Sequence, residues 1–228
     1  MIRVRRFLRS SSLSIAFLLI FVLALVGQAI AGHAYNNEQL SQHGQPPVSF
    51  IDFVTSSDFI IDVAENWQSE FLQFFLFILA TIWLIQRGSP ESKKPGDEGV
   101  GTDEEQLVGA HAQADSPRWA KARGARLWVY SNSLLLAMGA VFVFSWLAQS
   151  LAGHVVVNQE NAQHGVPPET WGDYIVSAEF WNRTLQNWQS EFLAVGAMVA
   201  FSIYLRQRGS SESKPVGVPH HVSSVESE

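Results

Sequence analysis

Apolar residues along this chain gather into four blocks separated by polar stretches. The first, residues 12–31, has the roughly 20 positions an α-helix needs to cross about 30 Å of hydrocarbon. The third, residues 134–152, is similar in length and composition. The second uninterrupted run, residues 71–85, rises only about 22 Å at 1.5 Å per residue, which is too short. Beginning it at Trp67 extends it to about 28 Å and seats the indole at the interface, where its amphipathic ring is favoured. The fourth run, residues 192–205, is repaired in the same way by starting at Trp188. Both extensions draw a glutamate into the helix, Glu70 and Glu191. The pattern predicts four transmembrane helices at about 12–31, 67–86, 133–152 and 188–206.

Charge then orients these helices. Of the 15 basic residues, four precede the first block, seven lie between the second and third, and three follow the fourth. Residues 32–66 carry none, and residues 153–187 only Arg183. The positive-inside rule therefore places both termini and the central linker in the cytoplasm and turns the other two loops outward. A rival reading treats the basic N-terminus, the first block and Ala29-Ile30-Ala31 as a cleavable signal peptide. The block exceeds the usual apolar length of such a signal, and its pattern recurs at the third block, where no signal peptide operates.

That recurrence extends along the chain. Sliding the sequence by 121 residues aligns it with itself without a gap, with about 29 identities over some 66 positions. Gln28-x-x-Ala31-Gly32-His33 becomes Gln149-x-x-Ala152-Gly153-His154, and Asn37 becomes Asn158. His43-Gly44-x-Pro46-Pro47 becomes His164-Gly165-x-Pro167-Pro168, and Asp52 becomes Asp173. Asn66-Trp67-Gln68-Ser69-Glu70-Phe71-Leu72 recurs at 187–193, and Gln86-Arg87-Gly88-Ser89-x-Glu91-Ser92-Lys93 at 207–214. Self-similarity on this scale sets the architecture. Each unit holds an even number of spans, so the repeats are expected to be parallel, related by a pseudo-two-fold along the membrane normal. The expected fold is all-α: two helical hairpins forming a four-helix membrane protein. The first hairpin occupies 1–93, a flexible acidic and polar linker 94–126, the second hairpin 127–214, and a disordered tail 215–228. Gly27, Gly139, Ala194, Gly196 and Ala197 are expected at helix contacts. The tandem GH…HG-x-PP…NWQSEFL…RGS-x-ESK pattern resembles a family of small bacterial membrane proteins known only as a domain of unknown function. The resemblance implies a membrane location and transfers no activity or catalytic residue.

Composition narrows the chemistry. The chain has 228 residues, 47% hydrophobic and 16% charged, against about 25% charged in a soluble domain. It has no cysteine, which excludes disulfide scaffolds, thiolate metal sites and thiol catalysis. A net charge of −6 argues against a nucleic-acid partner. Phosphate-binding glycine loops, nucleophile elbows and H-E-x-x-H helices are absent from the sequence. Arg87-Gly88 and Arg208-Gly209 are read as helix ends, with the glycine in the left-handed C′ position and the arginine at the headgroups.

The remaining candidates are recurring polar residues near the outer face. Gln28, His33 and Glu70 form one expected polar cluster, Gln149, His154 and Glu191 the other. His43, Asp52, His164 and Asp173 form a loop motif. Imidazole and carboxylate are legitimate metal ligands, but the ten-residue spacing of His33 and His43 fits no standard pattern, so metal binding is left open and no cofactor is assigned. Hydrogen bonds that close the hairpin explain the same residues. The partner implied is the lipid bilayer, with a homo-oligomer allowed and any small-molecule or ion ligand undefined. The leading expectation is a non-enzymatic structural or stress-related envelope component. The alternatives are a small oligomeric transporter or channel, and an outward-facing metal-dependent enzyme.

Overall fold

The structure is a computed structural model that describes residues 2–223. It is all-helical, with no strand among the described residues. In order the helices are α1 (Ile2–Ser10), α2 (Ser12–Gln42), α3 (Phe50–Val54), α4 (Ser57–Trp83), α5 (Ala125–Ser131), α6 (Ser133–Gln163), α7 (Trp171–Ile175) and α8 (Ala178–Tyr204). A 3₁₀ turn at Gly109–His111 lies in the linker. Two of the helices, α2 and α6, are long and apolar enough to cross a membrane.

Each long helix outruns its apolar block. Both α2 and α6 hold 31 residues and continue eleven positions past Ala31 and Ala152. Nothing in those extensions breaks a helix before the His-Gly-x-Pro-Pro stop. There Gly44 and Gly165 both adopt φ +67, while Gln45 and Val166 donate their amides back to Leu40 and Asn161, each at 2.8 Å. This closure requires a left-handed residue, which glycine supplies without a Cβ clash. At their starts, α4 and α8 begin about ten residues before Trp67 and Trp188. The Ser56 and Ser177 hydroxyls accept the Phe59 and Phe180 amides, as N-caps do. The stretch from Phe59 to Trp67 is therefore the first part of one continuous helix.

The structure corrects the expected C-terminal ends of α4 and α8. These helices stop at Trp83 and Tyr204, before the Arg-Gly pairs. Gly88 and Gly209 do have positive φ, +92 and +85, but in a separate turn in which Ser89 and Ser210 bond back to Gln86 and Gln207. The reason lies downstream: the Ser92 and Ser213 hydroxyls take the Gln86 and Gln207 amides at 2.8 and 2.9 Å. Those amides are thereby drawn out of the helical ladder.

The chain divides into two compact units. One comprises Met1–Val63 and Ala152–Pro168, the other Ala64–Leu151 and Glu169–Glu228. In the first, α3 packs on α2. Gly32 makes this possible, since a Cβ there would lie 2.9 Å from the Phe53 ring. In the second, α7 packs on α8, and Gly139 of α6 admits the Phe75 ring of α4 to a position 3.0 Å from where its Cβ would be. Gly139 thus sits at a helix contact as expected. Gly27 and Gly196 do not, for nothing would lie within 4 Å of a Cβ at either.

The tail also departs from expectation. Up to Ser223 it folds back rather than running free. Lys214 is buried and its ammonium donates to the carbonyls of Gly88, His220 and Val222. The Ser223 hydroxyl accepts the Gly88 amide at 2.9 Å. A buried ammonium needs such a carbonyl cage because desolvating it unpaired is costly. The rest of the expected tail lies outside the described residues. The linker is held at several points by its own bonds, among them Gly109 to Ala120 at 2.8 Å and Lys121 to Ala114 at 2.7 Å.

Candidate functional site

Several expected site residues close and cap helices. On α2, one turn separates His33 from Asn37, and their side chains meet at 2.9 Å. Asn37 clasps the loop backbone at Val48 in both directions, accepting its amide at 2.8 Å and donating to its carbonyl at 3.1 Å. The His33 ring reaches the same carbonyl at 2.9 Å. In the second repeat His154 and Asn158 meet at 2.8 Å. His43 and His164 each turn Nδ1 onto a carbonyl one turn back, Gln39 and Glu160, both at 2.8 Å. Asp52 and Asp173 are third residues of α3 and α7 and bond the Ser49 and Thr170 hydroxyls, both at 2.6 Å. Thr170 and Asp173 form a full capping box. The hydrogen bond from the Thr170 hydroxyl, followed by that from its amide, holds the Asp173 carboxyl below the usual aspartate range.

Gln149 is fully buried, and its amide donates to the Thr184 hydroxyl at 3.3 Å. Its counterpart Gln28 is only half-buried on α2. Glu70 is exposed on α4 and Glu191 half-buried on α8. These two carboxylates lie close enough for their charges to interact.

The strongest polar feature lies in the second unit, and of its residues the sequence singled out Gln149 but neither its partner Thr184 nor the Gln68–Trp188 pair. Thr184 and Trp188 occupy one face of α8, a turn apart, and receive two buried glutamines from different helices. Gln149 of α6 meets Thr184, and Gln68 of α4 accepts the Trp188 indole N–H at 2.8 Å. Both glutamines have zero exposure. Each keeps one amide atom without a hydrogen-bond partner among the described residues, Nε2 of Gln68 and Oε1 of Gln149, and so does the Trp146 indole nitrogen. Trp146 packs against Phe180 and Trp181, and Trp181 meets Trp188 edge-on. Above this belt Arg183 of α8 is ion-paired with Glu65 of α4. The repeat counterparts of these two residues are Asp62 and Gln186. The pair is therefore asymmetric, one repeat supplying the acid and the other the base.

A third cluster gathers where α4 and α8 end. Arg87, Ile203, Tyr204, His220 and His221 line a cavity of about 500 Å³. Beside it the Ser89 and Ser202 hydroxyls meet at 3.2 Å. Burial, followed by the charge of Glu212 and a carboxyl–carboxyl hydrogen bond, pushes the Glu91 carboxyl up. Among the described residues no group of three or more His, Asp or Glu is placed to hold a metal ion.

The family described as Domain of unknown function (DUF6766) matches residues 4–225, and the chain belongs to it. No curated protein and no solved structure matches the chain.

Proposed function

We propose that this member of the DUF6766 family is a multi-pass bacterial membrane protein with a structural, non-enzymatic role in the cell envelope. One observation carries the reading: the apolar surface of the two spanning-length helices is left uncovered. Only 6% of the most apolar stretch of α2 and 17% of that of α6 is buried. Leu13, Phe17, Leu18 and Leu23 are each 61–71% exposed. At about 25 cal/mol per Å², leaving such a surface in water costs many kcal/mol, whereas hydrocarbon accepts it. The gap-free repeat extends the reading to four crossings in two parallel hairpins, with α4 and α8 as the shorter partners. The basic residues put both termini and the linker in the cytoplasm.

Two experiments test this. The chain should stay in the membrane pellet through alkaline carbonate extraction. A reporter enzyme that works only outside the cytoplasm should be active when fused at residue 45 or 166 and silent at 105. Activity at 105, or silence at 45, overturns the topology.

The buried amides of Gln68 and Gln149, converging on α8 from two other helices, favour one alternative, an oligomeric transporter or channel for small polar solutes. Ionic or solute flux through the purified chain in liposomes, abolished by Gln149→Leu, is its signature.

A further inference from the structure

The cavity at the ends of α4 and α8 has the chemistry of an anion site. Arg87 is exposed, and among the described residues no hydrogen bond or acidic partner engages its guanidinium. No carboxylate lines the cavity. The negative pole of α8 does not compete, because its last carbonyls are already capped. Arg206 donates to Ser202, Ile203 and Leu205, and His220 Nδ1 reaches Ile203 O at 3.0 Å. That bond fixes the His220 ring over Tyr204, the ring centres 5.5 Å apart. Nδ1 also lies 3.3 Å from the Arg206 guanidinium, so among the described residues Nε2 is the nitrogen left to face the cavity, where it donates to an anion when it carries a proton. His221 also lines the cavity and makes no hydrogen bond among the described residues. Lys214, buried beneath, adds a further positive charge.

The tail makes this arrangement unique to one end of the duplication. A shift of 121 residues puts His220 on Gly99, whose amide bonds Ile82 O where His220 bonds Ile203 O. The second repeat thus sets an imidazole where the first has no side chain, and the folded tail brings it to Arg87. Arg208, the counterpart of Arg87, lines no part of the cavity.

From this geometry we infer that Arg87, His220 and His221 bind the phosphate group of an anionic ligand, its headgroup filling the cavity beside Tyr204. A planar guanidinium suits a phosphate because two parallel N–H groups match two of its oxygens. The cavity is a surface depression open to solvent, with Arg87, Tyr204, His220 and His221 all exposed and Ile203 at its floor, so a headgroup reaches it without displacing any element. An anionic phospholipid and a soluble phosphate ester share this chemistry. The lipid source rests on the membrane reading above; the phosphate site does not.

The test uses the full chain in a neutral detergent, titrated calorimetrically with dihexanoylphosphatidylglycerol, dihexanoylphosphatidylcholine and glycerol 3-phosphate. Preferential binding of phosphatidylglycerol, weakened roughly tenfold by Arg87→Gln and less by His221→Gln, supports the site with lipid as its source. Binding of glycerol 3-phosphate with the same dependence supports it with a soluble source. Arg208→Gln is the control for general attraction to anions and should bind as the parent does. If none of the probes binds, or Arg87→Gln and Arg208→Gln weaken binding equally, the site is overturned. Neither substituted arginine makes a hydrogen bond in the structure, so unliganded melting temperatures should be unchanged. Carbonate extraction of the same variants reports insertion independently, separating a failed site from a failed membrane assignment.

Discussion

Gln149 and Thr184 show how a repeated residue acquires a role that repetition does not specify. Gln28 and Gln149 occupy equivalent positions in similar strings, and Gln149 bonds the hydroxyl of Thr184, where the equivalent position 63 is valine. The two residues are distant in sequence, so nothing local marks the pair. With both buried, Thr184→Val would leave the whole Gln149 amide without a partner and should cost about 1–3 kcal/mol. The double variant Gln149→Leu, Thr184→Val removes both polar groups and should be less damaging than Thr184→Val alone. Thermal unfolding in detergent of the three variants checks this, and a double variant less stable than Thr184→Val alone would contradict it. By contrast, the capping residues were readable. Ser49-x-x-Asp52 and Thr170-x-x-Asp173 match the pattern that starts helices, and that signal alone would have located α3 and α7. Glu91 gives a residue-scale dependence on pH. Its carboxyl is raised by burial and by Glu212, so its contribution to stability is complete below the ordinary value of 4.5 and is lost as pH rises through the higher folded value. Melting temperature should fall over that window in the parent, and Glu91→Gln should flatten the fall and raise stability at pH 7. An unchanged profile in Glu91→Gln would refute the assignment.

Among elements, the apolar blocks located α2 and α6, and Ser56 and Ser177 marked the starts of α4 and α8, but the far ends of α4 and α8 were placed too late. Block length reports where a helix is apolar, not where it begins. Asp58, Asp62 and Glu65 sit on the first turns of α4 and look like loop residues in a hydropathy reading. What settles the helix start is the Ser56 cap and the absence of a breaker after it. The far ends are set by seryl hydroxyls of the RGS-x-ESK motif, whose partners appear only once the chain has turned. The contact of α4 with α8 is likewise invisible in sequence, since Trp67 and Trp188 share the same neighbours and nothing local marks Trp188 as a donor to Gln68. The Glu65–Arg183 pair belongs to this contact. It is partly buried, with 13% and 33% of the two side chains exposed, which places its worth between that of surface pairs and that of fully buried ones. Arg183→Gln should therefore destabilise by roughly 1–2 kcal/mol. Exchanging the two residues, Glu65→Arg with Arg183→Glu, should recover part of the loss. Equal stability of parent and Arg183→Gln in low salt would show that the pair contributes nothing.

On the scale of the whole molecule, the second unit joins the two similar stretches of sequence through residues of which some differ between them, as Glu65 and Arg183 do, and others are the same in both, as Gln68 and Trp188 are. Glu65 with Arg183, Gln68 with Trp188, Ser89 with Ser202 and Gly88 with Lys214 all link the first repeat to the second. None of these bonds involves the linker. Its bonds stay on one side or the other of the Gly101–Thr102 peptide, as Gly99 to Ile82 at 2.8 Å and Thr102 to Glu105 at 2.7 Å do. The covalent connection through residues 97–105 should then be dispensable once the chain has folded. A protease site placed between Gly101 and Thr102 and cut in detergent should leave two fragments that co-purify through a tag on either one. Adding Arg183→Gln together with Gln68→Ala removes two of the four links, and fragments carrying these changes should separate more readily after cutting. If the cut fragments of the parent chain part at once, the contacts between repeats are too weak to hold the fold, and the linker, not the interface, keeps the halves together.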